Sequence, residues 1–271
     1  DLHVHSTASD GSLTPTEVVN RAAGLGLTAM ALTDHDTVSG IDEALKAAKD
    51  LDMEVIPGIE VSCIYKEKEI HILGLYIDHT NPELLSFLKE ASRKRYDRNM
   101  EMLAAFRKDG FALTEEDLFC GNPKTVVTRA HFARALLKHG YVTSVDQAFK
   151  KYLNPDRPYY RSRELITPEE VLTVLLGAGG FPVLAHPLLY KLGWAETEAL
   201  IAMLTDHGLR GLECFHSSNN QDESGKLRKL AKKYALAPTG GSDFHGAAKP
   251  DIEIGSGRGG LRVSALYLDD I

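Results

Sequence analysis

Cysteine is scarce: three residues, Cys63, Cys120 and Cys214, lie far apart, with neither pairing nor metal-ligand spacing. That excludes a disulfide framework and a cysteine zinc site, and it fits a reducing, cytoplasmic compartment with the thiols buried as small apolar groups. No apolar run approaches the roughly 20 residues of a membrane-crossing helix, so no membrane partner is expected. Low-complexity segments and heptad repeats are missing. Positive charge is not in excess: the formal net charge is −7, which argues against broad coating of nucleic acid. No signal peptide is expected ahead of Asp1. The chain opens inside an expected strand, so a few further residues are expected upstream.

What is present describes an ordinary globular chain. Its 271 residues are 43% hydrophobic and 25% charged, enough for one large domain or one domain carrying an insertion. The charge is uneven. Residues 81–165 carry 16 Lys and Arg against 11 Asp and Glu, a balance of +5, and the remainder stands at −12. A basic middle segment set against an acidic frame suits an anionic substrate.

The opening stretch, Asp1 to Gly11, carries the first chemical signal. His3 and His5 are separated by one apolar residue. On a strand, residues two apart point to the same face, so both imidazoles converge. Asp10 follows on a Ser- and Thr-rich loop. Two imidazoles and a carboxylate suit a divalent transition metal.

Further along, strands and helices alternate. Strands are expected at Leu2–His5, Ala29–Thr33, Glu54–Ile59, Ile70–Leu75, Phe181–Ala185, Gly211–Cys214 and Leu236–Thr239. Thr14-Pro15-Thr16-Glu17 and Thr167-Pro168-Glu169-Glu170 each read as a capping box that opens a helix. Other helices are expected from Ile41, Ala195 and Asp222. This alternation implies parallel strands with right-handed crossovers. The polar turn Lys66-Glu67-Lys68-Glu69 breaks it with a hairpin. Between 81 and 163 only helical patterns occur: a long helix to about Lys108, then Thr114–Phe119, Thr128–Lys138 and Val145–Tyr152. Residues 1–80 and 164–271 therefore read as one α/β unit, interrupted by an all-helical, basic insertion at 81–163.

The placement of polar residues is the strongest regularity. His3, His5, His35, Glu60, His186, Asp243 and His245 fall at or just past the C-terminal ends of expected strands, with His71 near a strand start. In parallel α/β barrels that end collects the active site from separate strands. The recurrence points to a polynuclear metal site.

Taken in order, Asp1-Leu2-His3-Val4-His5-Ser6, Thr33-Asp34-His35-Asp36, Gly58-Ile59-Glu60-Val61-Ser62, Ala185-His186-Pro187 and Gly241-Ser242-Asp243-Phe244-His245 resemble the polymerase-and-histidinol-phosphatase (PHP) superfamily of metal-dependent phosphoesterases. The likeness spans the whole chain. Within it, Thr128-Arg129-Ala130-His131-Phe132-Ala133-Arg134 and the basic insertion resemble the branch that contains nucleoside 3′,5′-bisphosphate phosphatases and 5′-to-3′ exoribonucleases. The resemblance implies a distorted seven-stranded (β/α) barrel of residues 1–80 and 164–271, with the insertion at 81–163 as a substrate cap, and two to three divalent metals, commonly manganese, iron or zinc. Its nine ligand positions are His3, His5, Asp10, His35, Glu60, His71, His186, Asp243 and His245. One metal is expected on His3, His5, Glu60 and Asp243, a second on Glu60, His71 and His186, and a third on Asp10, His35 and His245.

Such a site suits hydrolysis of a phosphate ester by a water bridging the metals. Asp34 and Asp36 are candidates to orient His35, or else to cap the following helix. Arg129, His131, Arg134, Lys124 and Lys151 are candidate substrate contacts, with Arg161 and Arg163 behind them. Tyr159, Tyr160 and Phe244 are candidates for base stacking. His216, at a strand end, is left as a surface or core residue. The expected reaction releases phosphate from a nucleoside 3′,5′-bisphosphate, leaving the 5′-monophosphate. The expected partner is a small nucleotide or short RNA end, with no stable protein partner implied. Trimming of short 5′-phosphorylated RNA is the alternative. An amidohydrolase-type C–N hydrolase also opens with His-x-His, but no lysine stands at a strand end here, and Glu60 takes the bridging place.

Overall fold

The computed structural model describes residues 1–119, 121, 125–161, 166–257 and 261–271. It divides into two compact units, one of Asp1–Phe87 with Leu165–Ile271 and one of Leu88–Glu164.

The first unit is α/β. After the opening segment come α1 (Pro15–Gly24), β1 (Ala29–Leu32), α2 (Ile41–Ala48), β2 (Glu54–Tyr65) and β3 (Lys68–Leu75). The long α3 (Pro82–Lys108) leads into the second unit, where α4 (Glu115–Phe119), α5 (Arg129–Lys138) and α6 (Val145–Ala148) follow. The chain returns through α7 (Pro168–Gly177), β4 (Phe181–Leu184), α8 (Trp194–Asp206), β5 (Gly211–His216), α9 (Gln221–Lys233) and β6 (Ala237–Gly241).

The expected caps form. Thr14 accepts from Glu17 N and Thr167 from Glu170 N, and each glutamate returns a bond to the cap backbone, so α1 and α7 start where the capping boxes stand. Their apolar stripes, Val18, Val19 and Ala22 in α1 and Val171, Leu172 and Leu175 in α7, are buried.

Among the described residues the sheet has six strands in the order β1-β2-β3-β4-β5-β6. All neighbours pair in parallel except β2–β3 and β3–β4. The hairpin comes from Lys66 and Glu67, both at positive φ, which the β2–β3 turn requires. The expected seven-stranded barrel is thus a curled six-stranded sheet, and Leu2–His5 is not a ladder strand. Val4 makes isolated bridges to Leu32 on one side and Phe244 on the other. Flanking backbone bonds, Leu2 N to Gly240 O, His5 N to Phe244 O, Asp243 N to His3 O and Thr33 N to Val4 O, tie this segment between the two sheet edges. Val4 packs with Val18, Met30, Leu32 and Phe244 in the core beneath it.

Two boundaries shift for physical reasons. β2 runs past Ile59 because β3 pairs with it up to Tyr65↔Lys68, whereas its parallel partner β1 ends opposite Pro57. Glu60 is therefore mid-strand, yet just beyond the edge of the parallel pair. The expected helix Val145–Tyr152 is α-helical only to Ala148 and continues with π-type winding over Phe149–Leu153.

The second unit is helical, with its own core of Met102, Phe106, Leu118, Phe132, Leu136 and Tyr159. Tyr159 stacks on Phe106 at 3.9 Å between centroids, and its hydroxyl donates to Asp109. It is a core residue, which removes it as a base-stacking candidate. Among the described residues no helix is long and apolar enough to cross a membrane.

Candidate metal centre

The topology brings all nine expected ligands to the first unit and to one end of its sheet. His3 and His5 come from the bridging segment and Asp10 from the loop after it. His35 follows β1, Glu60 lies in β2, His186 follows β4, and Asp243 and His245 follow β6. His71 lies near the start of β3 and still joins them, because an antiparallel strand starts where its neighbours end: His71 faces Ser62 across the ladder.

Glu60 is the hub, fully buried. Its Oε1 lies 2.7 Å from His71 Nδ1 and 2.8 Å from His186 Nε2. Its Oε2 lies 3.2 Å from both His3 Nε2 and His5 Nε2, and 3.0 Å from His35 Nδ1. Asp243 Oδ1 lies 3.3 Å from His5 Nε2 and from His245 Nδ1. Asp10 Oδ1 lies 3.2 Å from His245 Nε2.

These atoms form four overlapping donor groups: His5, Asp10, His35 and His245; His3, Glu60 and His186; His3, His5 and Asp243; and His35, Glu60 and His71. The partition differs from the expected one in several respects: there are four groups in place of three, His186 groups with His3 and Glu60 and not with His71, His35 also joins Glu60 and His71, and Glu60 is absent from the group of His3, His5 and Asp243. His5 joins the Asp10, His35 and His245 group while also facing Asp243, so the groups share histidines as well as Glu60. The neighbouring strand ends stand too close for separate sets, and the His5 ring is 4.7 Å from His35 and 4.1 Å from His245 between centroids.

The donor set fits divalent cations. His3 Nε2, His5 Nδ1 and Nε2, His35 Nδ1, His186 Nδ1 and Glu60 Oε2 are buried with no hydrogen-bond partner. So many orphaned donor atoms in one place are costly unless a cation satisfies them. The electrostatics agree. Burial alone would raise the carboxyls. The imidazoles around them outweigh it, chiefly His35 and His71 at Glu60 and His245 and His35 at Asp10, holding both acids well below their ordinary range. Lys249 and His245 do the same for Asp243. Burial pushes His35 down to about 3, whereas the adjacent carboxylates overcome burial and lift His5 and His71 to about 9. Three buried carboxylates thus draw protons onto some imidazoles and not others. Divalent ions held by these residues would replace those protons, so loading the site would release them.

Backbone strain gathers here. His186 and Asp243 hold positive φ of 24° and 55°, which non-glycine residues adopt only where their surroundings over-determine them. Gly241 has a different reason. A Cβ there would stand 2.3 Å from His3 Cβ and 2.6 Å from His3 N. Gly241→Ala is therefore expected to push the His3 segment outward, at about 3 kcal/mol, and to lower metal occupancy. Thermal melting and metal analysis check it, and an unchanged melting temperature contradicts it.

Other expected residues are placed as follows. Asp34 accepts from Ser6 N and Oγ and from Ser9 N and Oγ, and Asp36 accepts from Ser62 N. Neither hydrogen-bonds the His35 ring, and α2 is capped by Gly40. They brace the loops around the cluster. In the second unit, His131 is buried and its Nδ1 accepts from Thr128 N in a capping box, so that atom is spent on holding α5. The Arg129 guanidinium lies 5.5 Å above the Tyr160 ring. Arg134 is half-buried and Lys151 exposed, and Arg161 donates to the Pro158 and Tyr160 carbonyls. Phe244 is buried. Lys124, Arg163 and Cys120 lie outside the described residues.

Three residues escaped the sequence reading. His216 Nε2 is 3.4 Å from Asp243 Oδ2, and Lys249 Nζ donates to the same oxygen at 2.5 Å. Glu213 is buried in β5 and bonds to His3. The signal for His216 was its strand-end position. For Glu213 it was a lone acid inside the apolar run Gly211 to Cys214.

A PHP domain model matches residues 1–159. Over 257 residues the chain is 37% identical to the 3′,5′-nucleoside bisphosphate phosphatase of Chromobacterium violaceum, covering 94% of this chain and 90% of that one. It is 38% identical over 245 residues to a 5′-3′ exoribonuclease of Haemophilus influenzae, covering 90% and 89%. Its structure matches a protein from Bifidobacterium adolescentis, assigned as a metal-dependent phosphoesterase, with a TM-score of 0.88 at 29% identity, across 100% of this chain and 94% of that one. With a buried cluster of this composition at the end of its sheet, the chain belongs to the PHP domain family and is a metal-dependent phosphoesterase, a hydrolase of phosphate esters.

Proposed function

We propose that the enzyme removes the 3′-phosphate from a nucleoside 3′,5′-bisphosphate, yielding the 5′-monophosphate and phosphate. The observation that carries this reading is the set of four overlapping donor groups on Glu60, His3, His5 and His35, joined to near full-length similarity with a bisphosphate phosphatase. His3, His5, Asp10, His35, Glu60, His71, His186, Asp243 and His245 hold two to three divalent ions, with manganese, iron and zinc all suited to imidazole and carboxylate donors. Bound there, such ions neutralise the phosphoryl oxygens and acidify a water for attack.

The residues themselves do the rest. Glu60 spreads one carboxylate over two of the donor groups. Asp243 turns one oxygen to the histidines and the other to His216 and Lys249. The Lys249 ammonium is left partly exposed as a donor for a phosphate oxygen.

In this reading the basic helical segment recognises the second phosphate, through Arg129 and Arg134. Arg129→Ala is then expected to raise KM for a bisphosphate by about tenfold, the worth of one charge-assisted contact, and to leave KM for an aryl phosphate unchanged. Equal effects on both substrates remove Arg129 from this role.

The second reading, 5′-to-3′ trimming of short RNA, is favoured by the similarity to an exoribonuclease. One experiment separates the two. The Mn²⁺-loaded enzyme is offered adenosine 3′,5′-bisphosphate and a short 5′-phosphorylated RNA in parallel. AMP and phosphate with intact RNA support the phosphatase. Mononucleotides released from the RNA support the exonuclease. Neither product overturns both.

A further inference from the structure

Glu213 stands apart from the nine ligand candidates and from every residue motif in the sequence, yet it is fully buried against two of them. Its Oε1 lies 3.0 Å from His3 Nδ1, and its Oε2 accepts from the His186 backbone N–H at 2.6 Å. A carboxylate has no proton to offer, so His3 Nδ1 is the donor. That leaves the His3 Nε2 lone pair aimed at the side where Glu60 Oε2 and Asp243 Oδ1 stand, 3.2 and 3.7 Å away. The second oxygen holds the main chain of His186 at its strained positive φ. His3, Glu60 and His186 form one of the donor groups, so a single carboxylate sets two of that group's three members.

We propose that Glu213 is a positioning residue for metal binding: it fixes His3 as an Nε2 donor and anchors His186 beside it. The inference rests on reading the cluster as a metal centre.

Its chemistry makes an isosteric change informative. Glutamine has one acceptor oxygen and one donor nitrogen in place of two acceptors. The His186 N–H is a backbone donor and cannot change sign, so the amide oxygen must stay with it. The amide NH₂ then faces His3 Nδ1 and demands an acceptor there. The His3 proton moves to Nε2, the nitrogen that a metal needs. Outer partners of metal-bound histidines are worth about 10–100-fold in affinity.

The test is a double-mutant cycle on zinc affinity, read by competition with a chelating dye, for the unsubstituted protein, Glu213→Gln, His3→Ala and the double variant. Glu213→Gln is expected to weaken zinc binding about 10–100-fold, and the effect is expected to disappear in the His3→Ala background. If Glu213→Gln binds zinc as tightly as the unsubstituted protein, or weakens binding equally with and without His3, Glu213 does not act through His3 and the proposal falls while the metal centre stands. If the unsubstituted protein binds no zinc, the metal-centre reading falls and takes the proposal with it.

A second measurement needs no Glu213 variant and so survives a misfolded one. In the ¹⁵N-labelled, zinc-loaded protein, the ring signals that vanish in His3→Ala are expected to show a protonated Nδ1. A protonated Nε2 overturns the proposal.

Discussion

Replacing Glu60 with glutamine is expected to lower phosphate-ester hydrolysis by at least about 10³-fold, the upper range for removing one electrostatic stabiliser from an active site. Glu60 does more than such a group usually does. Its two oxygens approach the ring nitrogens of His3, His5, His35, His71 and His186. The amide keeps the shape, loses the charge, and turns an NH₂ toward nitrogens that must offer lone pairs. Activity and metal content should fall together, because the same carboxylate joins two of the four donor groups. Initial rates with metal analysis on the purified variant check this. A variant with full metal and full rate would show that Glu60 lies outside the chemistry.

Stripping the metal is expected to have the second-largest effect. A ligand that binds only the folded chain stabilises it by about 2.7 kcal/mol when present at a hundredfold excess over its Kd. For a domain of this size that corresponds to roughly 5–11 °C in melting temperature for each site. The metal-free protein keeps buried carboxylates and imidazoles with unsatisfied atoms, so the shift should be at the upper end. Treatment with a chelator followed by thermal melting tests it, with reloading by Mn²⁺ or Zn²⁺ expected to restore both melting temperature and activity. Equal melting curves with and without metal would mean the cluster is a self-satisfied polar network.

Much of the centre was legible in the sequence because the information is local. A histidine or acid at the end of an apolar strand stands out against its neighbours, and parallel strands carry their ends to one place. His71 obeys the same rule in reverse, since the polar turn at Lys66 to Glu69 announced an antiparallel hairpin. What stayed hidden depends on distant partners. Glu213 reads as one polar residue in a core strand until His3, 210 positions away, is seen beside it. Lys249 sits in an unpatterned segment and gains meaning only from Asp243. Tyr159 looked like a stacking platform and is core, because Phe106 covers it. His131 looked like a phosphate contact, and its spacing from Thr128 also suits a cap, which is the use of its Nδ1. The seventh strand failed differently. Leu2–His5 is extended and tied at both edges, yet its pairing reduces to single bridges at Val4.

That bridging segment has a consequence for how the protein is made. His3 and His5 leave the ribosome 240 residues before the groups they face at Asp243 and His245. At 5–20 residues per second, the first histidines wait about 12–50 seconds for their partners. Until then Val4 has β1 on one side and nothing on the other. Contacts this distant in sequence close late. Metal capture at the groups that need Asp243 or His245 therefore waits until those residues are made, and a nascent or truncated chain ending before Gly241 offers a metal only a partial set of donors.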